Sequence, residues 1–289
     1  MTRPMTTART SDLLAPAADV AAADVHARDL HAPDLHAPDV HAGRRAPWTL
    51  MYHSVGDRRA GDPYQVTVTP QRLAGQLRWL RRRGLTGVSM RELLAARAHG
   101  RAARLVGLTF DDGYADFLTE AVPLLRAHGH TATVFVLPGR LGGTNAWDPE
   151  GPRRPLLTAD GIRAAHAAGM EIGSHGLLHR DLTTLDDAAL DAELTGSRGL
   201  LADITGTVPA GFCHPYGAVD PRTALAARRA GYAYACAVDP GPVACGHALP
   251  RTYVGQADNS PRLHAKRLRH RLRRTGLAAL PTLSQGGDA

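Results

Sequence analysis

The sequence of 289 residues is short of several things, and each shortage closes off a class of function. No apolar run approaches the ~20 residues that a membrane-spanning helix requires. Arg3 and Arg9 lie near the start, but Leu13-Leu14-Ala15-Pro16 is too brief for the apolar core of a secretory signal and Asp19 soon follows. No export signal is therefore read, and a cytoplasmic location is the default expectation. Three cysteines are too few, and odd in number, for a disulfide framework. Cys213 and Cys236 stand in apolar, strand-like runs and read as small core residues. There is no G-x-G-x-x-G and no P-loop, which removes the usual nucleotide-binding signatures. Lys266 is the only lysine among 34 basic residues, a pattern of coding bias more than of function.

The formal charge of +7 is uneven along the chain. Residues 1–46 hold five arginines against six aspartates, whereas residues 261–289 hold six arginines and a lysine against one aspartate. The basic balance thus belongs mainly to a tail. In that tail Leu263, Leu268 and Leu272 sit among Arg262, Lys266, Arg267, Arg269, Arg271, Arg273 and Arg274. This reads as an amphipathic helix packed by its leucines, with its arginines in solvent. Contact with an anionic membrane surface or an acidic glycan is the other use of such a face. Nucleic acid is not expected, because no reading module accompanies the charge.

What is present divides into three segments. Residues 1–46 are rich in Ala, Asp and Pro and carry a five-residue repeat, from Asp24-Val25-His26-Ala27-Arg28 to Asp39-Val40-His41-Ala42-Gly43. So short a period cannot form a packed repeat unit. With few large apolar groups to offset its ordering entropy, the segment is expected to be a disordered linker. Metal scavenging by the repeated Asp and His is the alternative. Residues 47–260 read as the folded domain and 261–289 as the basic tail. An apolar fraction of 44% suffices for a sizeable core.

Strands and helices alternate across the domain. Thr69-Pro70 and Thr158 mark helix starts, as does Asp220-Pro221; Gly84, Gly169, Gly206 and Gly231 mark ends. A helix between about Tyr114 and His128 should be kinked or start late because of Pro123. Leu190 to Ile204 reads as one longer helix, and Gly139–Pro155 as a long loop of the kind that is often functional. The alternation argues for a parallel sheet. Polar residues fall just after strands at His53, Asp111-Asp112, His175, His214-Pro215-Tyr216 and Arg251. Such clustering favours a (β/α) barrel, whose sites lie at that end of the strands.

The strand Leu105–Phe110 ends in two adjacent carboxylates, Asp111 and Asp112. Asp-Asp-Gly is ordinary turn chemistry. Two carboxylates at the end of a buried strand, however, need a cation nearby. The strand Met170–Ser174 delivers His175, with His179 four residues on. One carboxylate and two imidazoles make an open divalent-metal site with a position left for water. Asp112, His175 and His179 would be the ligands, and Asp111 the base that takes a proton from the attacking water. The N–H of Tyr216 is a candidate oxyanion donor. The leaving group needs an acid; His53, His214, His247 and His264 are candidates, and spacing alone does not choose among them.

At these residues the sequence resembles a known family. Thr109-Phe110-Asp111-Asp112-Gly113 together with Ser174-His175-Gly176-Leu177-Leu178-His179 is similar to the motifs of polysaccharide deacetylases, the NodB homology family. Met51-Tyr52-His53-Ser54-Val55, Phe212-Cys213-His214-Pro215-Tyr216-Gly217 and Leu249-Pro250-Arg251 fit the same pattern, so the likeness spans about 48–255. The resemblance implies a distorted (β/α) barrel and metal-dependent removal of N-acetyl, sometimes O-acetyl, groups from sugars. It implies Asp111 as base and Asp112, His175 and His179 as ligands of a divalent cation, Zn2+ first, with Co2+, Ni2+ or Fe2+ as alternatives. It implies Pro215 and Tyr216 in the substrate groove; His214 and Arg251 are grouped with them as substrate-binding residues.

Two departures stand out. Many members carry an arginine before the Pro-Tyr pair that partners the base; here Cys213-His214 stands there, as in the branch resembling poly-N-acetylglucosamine deacetylases. Arg251 is the substitute. The late Leu-x-His motif that supplies the acid has no clear match, and His53 is taken in its place. The partner expected is a carbohydrate and the chain is expected to be a monomer. Three alternatives remain: a catalytically weak carbohydrate-binding relative, a deacylase acting on a small non-polymeric substrate, and an iron oxygenase built on two histidines and a carboxylate.

Overall fold

The computed structural model describes residues 43–57, 62–272 and 276–279. All of the Asp-His repeat except Gly43, and with it the metal-scavenging reading and the linker reading of residues 1–42, lies outside the described residues, as do Arg273 and Arg274. Residues 43–46, assigned to the linker, are instead joined to the end of the chain: Gly43 N donates to Leu277 O and Leu277 N to Arg44 O, each at 2.9 Å, and Ala46 packs against the core. In chain order the elements are β1 (Thr49–Tyr52), β2 (Ser54–Val55), β3 (Thr67–Val68), α1 (Pro70–Arg82), β4 (Thr86–Val88), α2 (Met90–Ala98), β5 (Leu105–Phe110), α3 (Val122–Ala127), β6 (Thr133–Val136), α4 (Ala159–Ala167), β7 (Glu171–Ser174), α5 (Asp187–Asp191), α6 (Ser197–Thr205), β8 (Gly211–Cys213), α7 (Pro221–Arg229), β9 (Tyr234–Ala237), β10 (Leu249–Pro250), β11 (Thr252–Tyr253) and α8 (Ser260–Leu272).

Helix starts follow the capping chemistry. The Thr69 hydroxyl accepts from Arg72 N, Ser89 and Glu92 form a reciprocal capping box around α2, and Asp220 caps α7 ahead of Pro221. Leu73, Leu77 and Leu80 put one face of α1 into the main core, against residues of β1, β5 and β6. Two helices depart from the simple periodic reading. A π-helical turn, Phe117–Ala121, precedes α3, and Pro123 falls in that helix's first turn. Pro123 has no N–H to give to the preceding turn, so the widened turn comes where the ordinary ladder would break. The long helix expected from Leu190 to Ile204 is likewise divided, with a π-helical turn at Ala192–Gly196 between α5 and α6.

All strand pairings between named elements are parallel, in the order β10-β9-β8-β7-β6-β5-β1-β11, with β4 beside β5. The ends of that list are consecutive in the chain. Leu249 and Pro250 pair with Cys236 and Ala237 of β9, whereas Thr252 and Tyr253 pair with Leu50 and Met51 of β1. The run Leu249–Val254 is thus two short strands broken at Arg251, and that break carries the chain from one edge of the sheet to the other. The sheet closes into the distorted (β/α) barrel that the alternation suggested. The barrel is narrow: a Cβ on Gly211 would come within 2.1 Å of the Tyr234 hydroxyl oxygen, and one on Gly173 within 2.5 Å of the Phe135 ring. Glycine at these strand positions leaves the volume that the two aromatic rings fill.

At the tail, α8 buries Leu263 completely but leaves Leu268 and Leu272 51% and 69% exposed. The expectation that all three leucines pack is corrected by the helical wheel: positions five and nine residues on lie about 140° and 180° around the helix from Leu263. Among the described residues no helix is long and apolar enough to cross a membrane.

Candidate active site

β5 delivers both aspartates, and the backbone after it separates them. Asp111 N still donates to Tyr52 O of β1 at 2.9 Å, so Asp111 keeps the strand's pleat and points into the barrel. Asp112 and Gly113 then take left-handed conformations, with φ of 71° and 68°. A Cβ at Gly113 would also meet the Val136 side chain at 2.8 Å, so only glycine suits that position. Four described non-glycine residues have positive φ, and three of them are Asp112, His179 and Tyr216. Backbone in this region costs free energy and persists where the surroundings impose it, commonly at functional sites.

His175 follows β7, its N–H donating to Val136 O at 2.9 Å. Its Nδ1 lies 2.8 Å from Cys213 O, which assigns the proton to Nδ1 and leaves the Nε2 lone pair bare. His179 arrives on a short loop whose backbone is tied down from several sides. Leu177 N and Leu178 N both donate to the buried carboxylate of Glu193, at 2.6 and 3.0 Å. Gly139 N donates to Leu177 O at 3.1 Å and Arg140 Nε to Leu178 O at 3.0 Å. Glu193 stands in the π-helical turn before α6, which is how that irregularity serves the site.

The Nε2 atoms of His175 and His179 each lie 3.3 Å from the same oxygen, Asp112 Oδ1, and all three side chains are buried. A direct charge-assisted hydrogen bond would be about 2.7–2.9 Å. A tetrahedral cation with ligand bonds of about 2.0–2.1 Å sets its ligand atoms about 3.3–3.4 Å apart. The donor set and its spacing therefore fit a divalent metal.

Asp111 does not join this triangle. Its two oxygens accept from Arg251 Nη1 and Nη2 at 2.6 and 2.7 Å. Arg251 also donates from Nη1 to the Thr109 hydroxyl at 3.1 Å and from Nε to Ala237 O at 3.2 Å. Burial raises the Asp111 carboxyl, but the adjoining guanidinium outweighs it and holds the group below its ordinary value. Arg251 is itself 5% exposed and enclosed by the barrel. Asp111, His175 and Cys213 form a second group with ligand spacing. There, however, Cys213 Sγ accepts from Arg251 Nη2 at 3.0 Å, so a guanidinium already supplies the cation.

The remaining expected residues are placed as follows. His53 Nε2 lies 4.0 Å from Asp111 Oδ2, with the His53 side chain partly exposed. Tyr216 is 57% exposed, with its ring edge-on to His179 at 4.4 Å. Pro215 is buried at the start of that short turn. His214, expected to meet substrate, is fully buried with Nε2 turned to His247 O at 3.0 Å; a side chain without exposure cannot touch a glycan. Arg251, grouped with the substrate-binding residues and also named as the substitute partner of the base, is buried and pairs with Asp111. His247 is buried with Nε2 on Tyr232 O at 2.8 Å, and His264 lies exposed on α8.

Sequence reasoning missed Trp147, whose indole stacks on His179 at 4.5 Å between centroids. Its only signal was the length of the loop that carries it. Cys213 was read as core filler, and no pattern in the sequence tied it to Arg251. Glu193 gave no signal either, since its burial depends on where the ligand loop lies.

Residues 99–235 match the family model described as polysaccharide deacetylase. That range contains Asp111, Asp112, His175, His179 and Tyr216, and leaves out His53 and Arg251. The YxkH polysaccharide deacetylase candidate of Bacillus subtilis strain 168 is 25% identical over 194 residues, 66% of this chain and 64% of that protein. A chitin deacetylase of Pestalotiopsis sp is 36% identical over 109 residues, 38% of this chain and 33% of that one. The chain thus spans less than two thirds of the length of these relatives. Among solved structures, the Streptococcus pyogenes deacetylase PplD in complex with acetate shares the fold with a TM-score of 0.64, at 22% identity, over 76% of this chain and 97% of that one.

Proposed function

Residues 99–235 are a polysaccharide deacetylase domain, and from that premise we propose that the protein removes N-acetyl groups from an N-acetylated sugar or polysaccharide with the help of a divalent cation. The observation that carries the proposal is the triangle of Asp112, His175 and His179 beside a separately charged Asp111. The relatives' names point to chitin and other N-acetylglucosamine polymers as the substrate class.

Asp112 Oδ1 and the Nε2 atoms of His175 and His179 would hold the cation, with zinc preferred for this donor set. When bound, such an ion polarises a carbonyl and lowers the pKa of water. Asp111 stays ionised because of Arg251, so it is free to accept the proton of the attacking water. The Arg251 guanidinium supplies the cation that the family pattern has, and this chain lacks, before Pro215, which weighs against a catalytically weak relative. The N–H of Tyr216, a left-handed residue in the tight turn Pro215–Gly217, would be the donor to the oxyanion. His53, close to Asp111 and partly open to solvent, is placed to hand a proton to the leaving amine. The exposed Tyr216 ring offers a face on which a sugar can stack.

The test is release of free amine from N-acetylated oligosaccharides by protein reconstituted with Zn2+, Co2+, Ni2+ or Fe2+ in turn. Wild type should release amine and Asp111→Asn should not, at equal metal content. Equal turnover by Asp111→Asn would refute the assignment of the base, and a wild type inactive on every such sugar would refute the substrate class.

A further inference from the structure

The two histidines of the centre are held in different ways. His175 is anchored by the bond from its Nδ1 to Cys213 O. The Nδ1 of His179 is buried and makes no hydrogen bond among the described residues. Ligand histidines usually donate that second nitrogen to a carboxylate or carbonyl, which fixes the ring. His179 has aromatic contacts in its place. The Trp147 indole lies on its ring at 4.5 Å with 19° between the planes, and Tyr216 meets it edge-on at 74°.

Trp147 is held in turn. The Arg140 guanidinium lies over the indole at 5.8 Å, and the same side chain donates to the carbonyl of Leu178, the residue before His179. The Gly139–Leu177 bond joins the same two loops. The loop after β6 and the ligand loop after β7 are therefore connected by backbone contacts and by a stack of Arg140, Trp147 and His179.

We propose that Trp147 is a positioning residue for His179: its indole substitutes for the absent hydrogen bond at Nδ1, so that the centre's affinity for its cation depends on this half-buried side chain. The inference rests on the reading of Asp112, His175 and His179 as a metal centre. A half-turn of the imidazole about its Cβ–Cγ bond would bring Cε1, a carbon, to the place where Nε2 faces Asp112 and so remove the ligand atom. That rotation sweeps the ring out of its plane and into the indole. Coordination also makes the imidazole electron-poor, and an electron-rich indole face favours that state. The positive φ of His179, 62°, makes the same demand for an outside hold, since a non-glycine residue leaves that region when free.

The experiment measures metal affinity, not turnover, by competing full-length protein against a chromogenic chelator for Zn2+ and for Co2+. Wild type, Trp147→Phe, Trp147→Ala, His179→Ala and the Trp147→Ala/His179→Ala double variant are compared. Trp147→Ala should weaken binding on the order of tenfold, the usual effect of losing a residue that orients a ligand. Trp147→Phe, which keeps an aromatic face, should recover most of that loss. In the His179→Ala background Trp147→Ala should change nothing further, since the two act through one ring. Unchanged affinity in Trp147→Ala, no recovery by phenylalanine, or an equal loss without His179 would each overturn the inference. A wild type that binds no cation would overturn the metal centre itself; a wild type that binds normally beside an indifferent Trp147→Ala would overturn only the role of the indole.

Discussion

Replacing Arg251 by methionine would leave the Asp111 carboxylate buried without its cation. Wild-type Asp111 is 3% exposed and receives two guanidinium hydrogen bonds of 2.6 and 2.7 Å. Removing one partner of such a buried pair costs roughly 3–5 kcal/mol, because the remaining charge is uncompensated. The cost depends on pH, and its sign follows from the two states. In wild type the folded pKa of Asp111 lies below its unfolded value, so the pair adds stability above the unfolded pKa and loses it as pH falls through the folded one. In Arg251→Met burial is opposed only by the weaker pull of His175 and His53, so the folded pKa rises. The variant's deficit should then be largest at neutral pH and shrink on acidification, since a protonated carboxyl needs no counter-ion. Urea unfolding of chelator-treated protein at pH 7 and pH 5 reads this directly. The acid limb of kcat/KM should move to higher pH in the same variant, because the base now protonates earlier. The Arg251→Met/Asp111→Asn double variant should recover to within about 1 kcal/mol of wild type while remaining inactive. A single variant within about 0.5 kcal/mol of wild type, with an unmoved acid limb, would refute the role given to Arg251.

Other perturbations probe the surroundings. Glu193→Ala removes the acceptor of Leu177 N and Leu178 N, leaving two donors of the ligand loop unmet; hydrogen exchange at those amides should quicken and metal affinity should fall, whereas Glu193→Gln, which keeps an acceptor oxygen, should lie between. His214, pushed down to about 4 by burial, resists protonation in the folded state while the unfolded chain takes a proton near 6.5. Stability should therefore fall as pH drops, by about 2 kcal/mol between pH 7 and pH 5, and His214→Gln should flatten that part of the profile in chelated protein. Removing residues 1–42, which lie before the first described contacts, should leave activity intact; an inactive truncation would contradict the reading of that segment as a linker.

Much of the fold was legible because its signals are local. Thr69-Pro70, Thr158 and Asp220-Pro221 announce helix starts through backbone N–H groups only a few residues away. Asp111 and Asp112 drew notice because two carboxylates closing an apolar run demand a counter-charge, and His175 and His179 offered a site for one. What stayed hidden depends on closure of the barrel. Arg251 is named as the base's substitute partner through the family likeness alone; its reach across 140 positions to Asp111 comes from the chain's break between β10 and β11, which no local pattern announces. His214 was grouped with its exposed neighbour Tyr216, yet the strand's pleat turns it into the protein. Trp147 sits in a stretch whose Gly and Pro content predicts a loop but not its course. In α8 the helical angle decides: Leu263 faces the core, whereas Leu268 and Leu272, on other sides of the helix, remain exposed.

The most direct measurement is the divalent cation content of the purified full-length chain after incubation with zinc and removal of excess. Wild type should retain one cation per chain with the amide-hydrolysing activity rising in step with occupancy, while His175→Ala and Asp112→Asn, both folded by circular dichroism, should retain none. Stoichiometric metal in either variant, or a folded wild type that takes up no cation, would contradict the assignment of these three side chains.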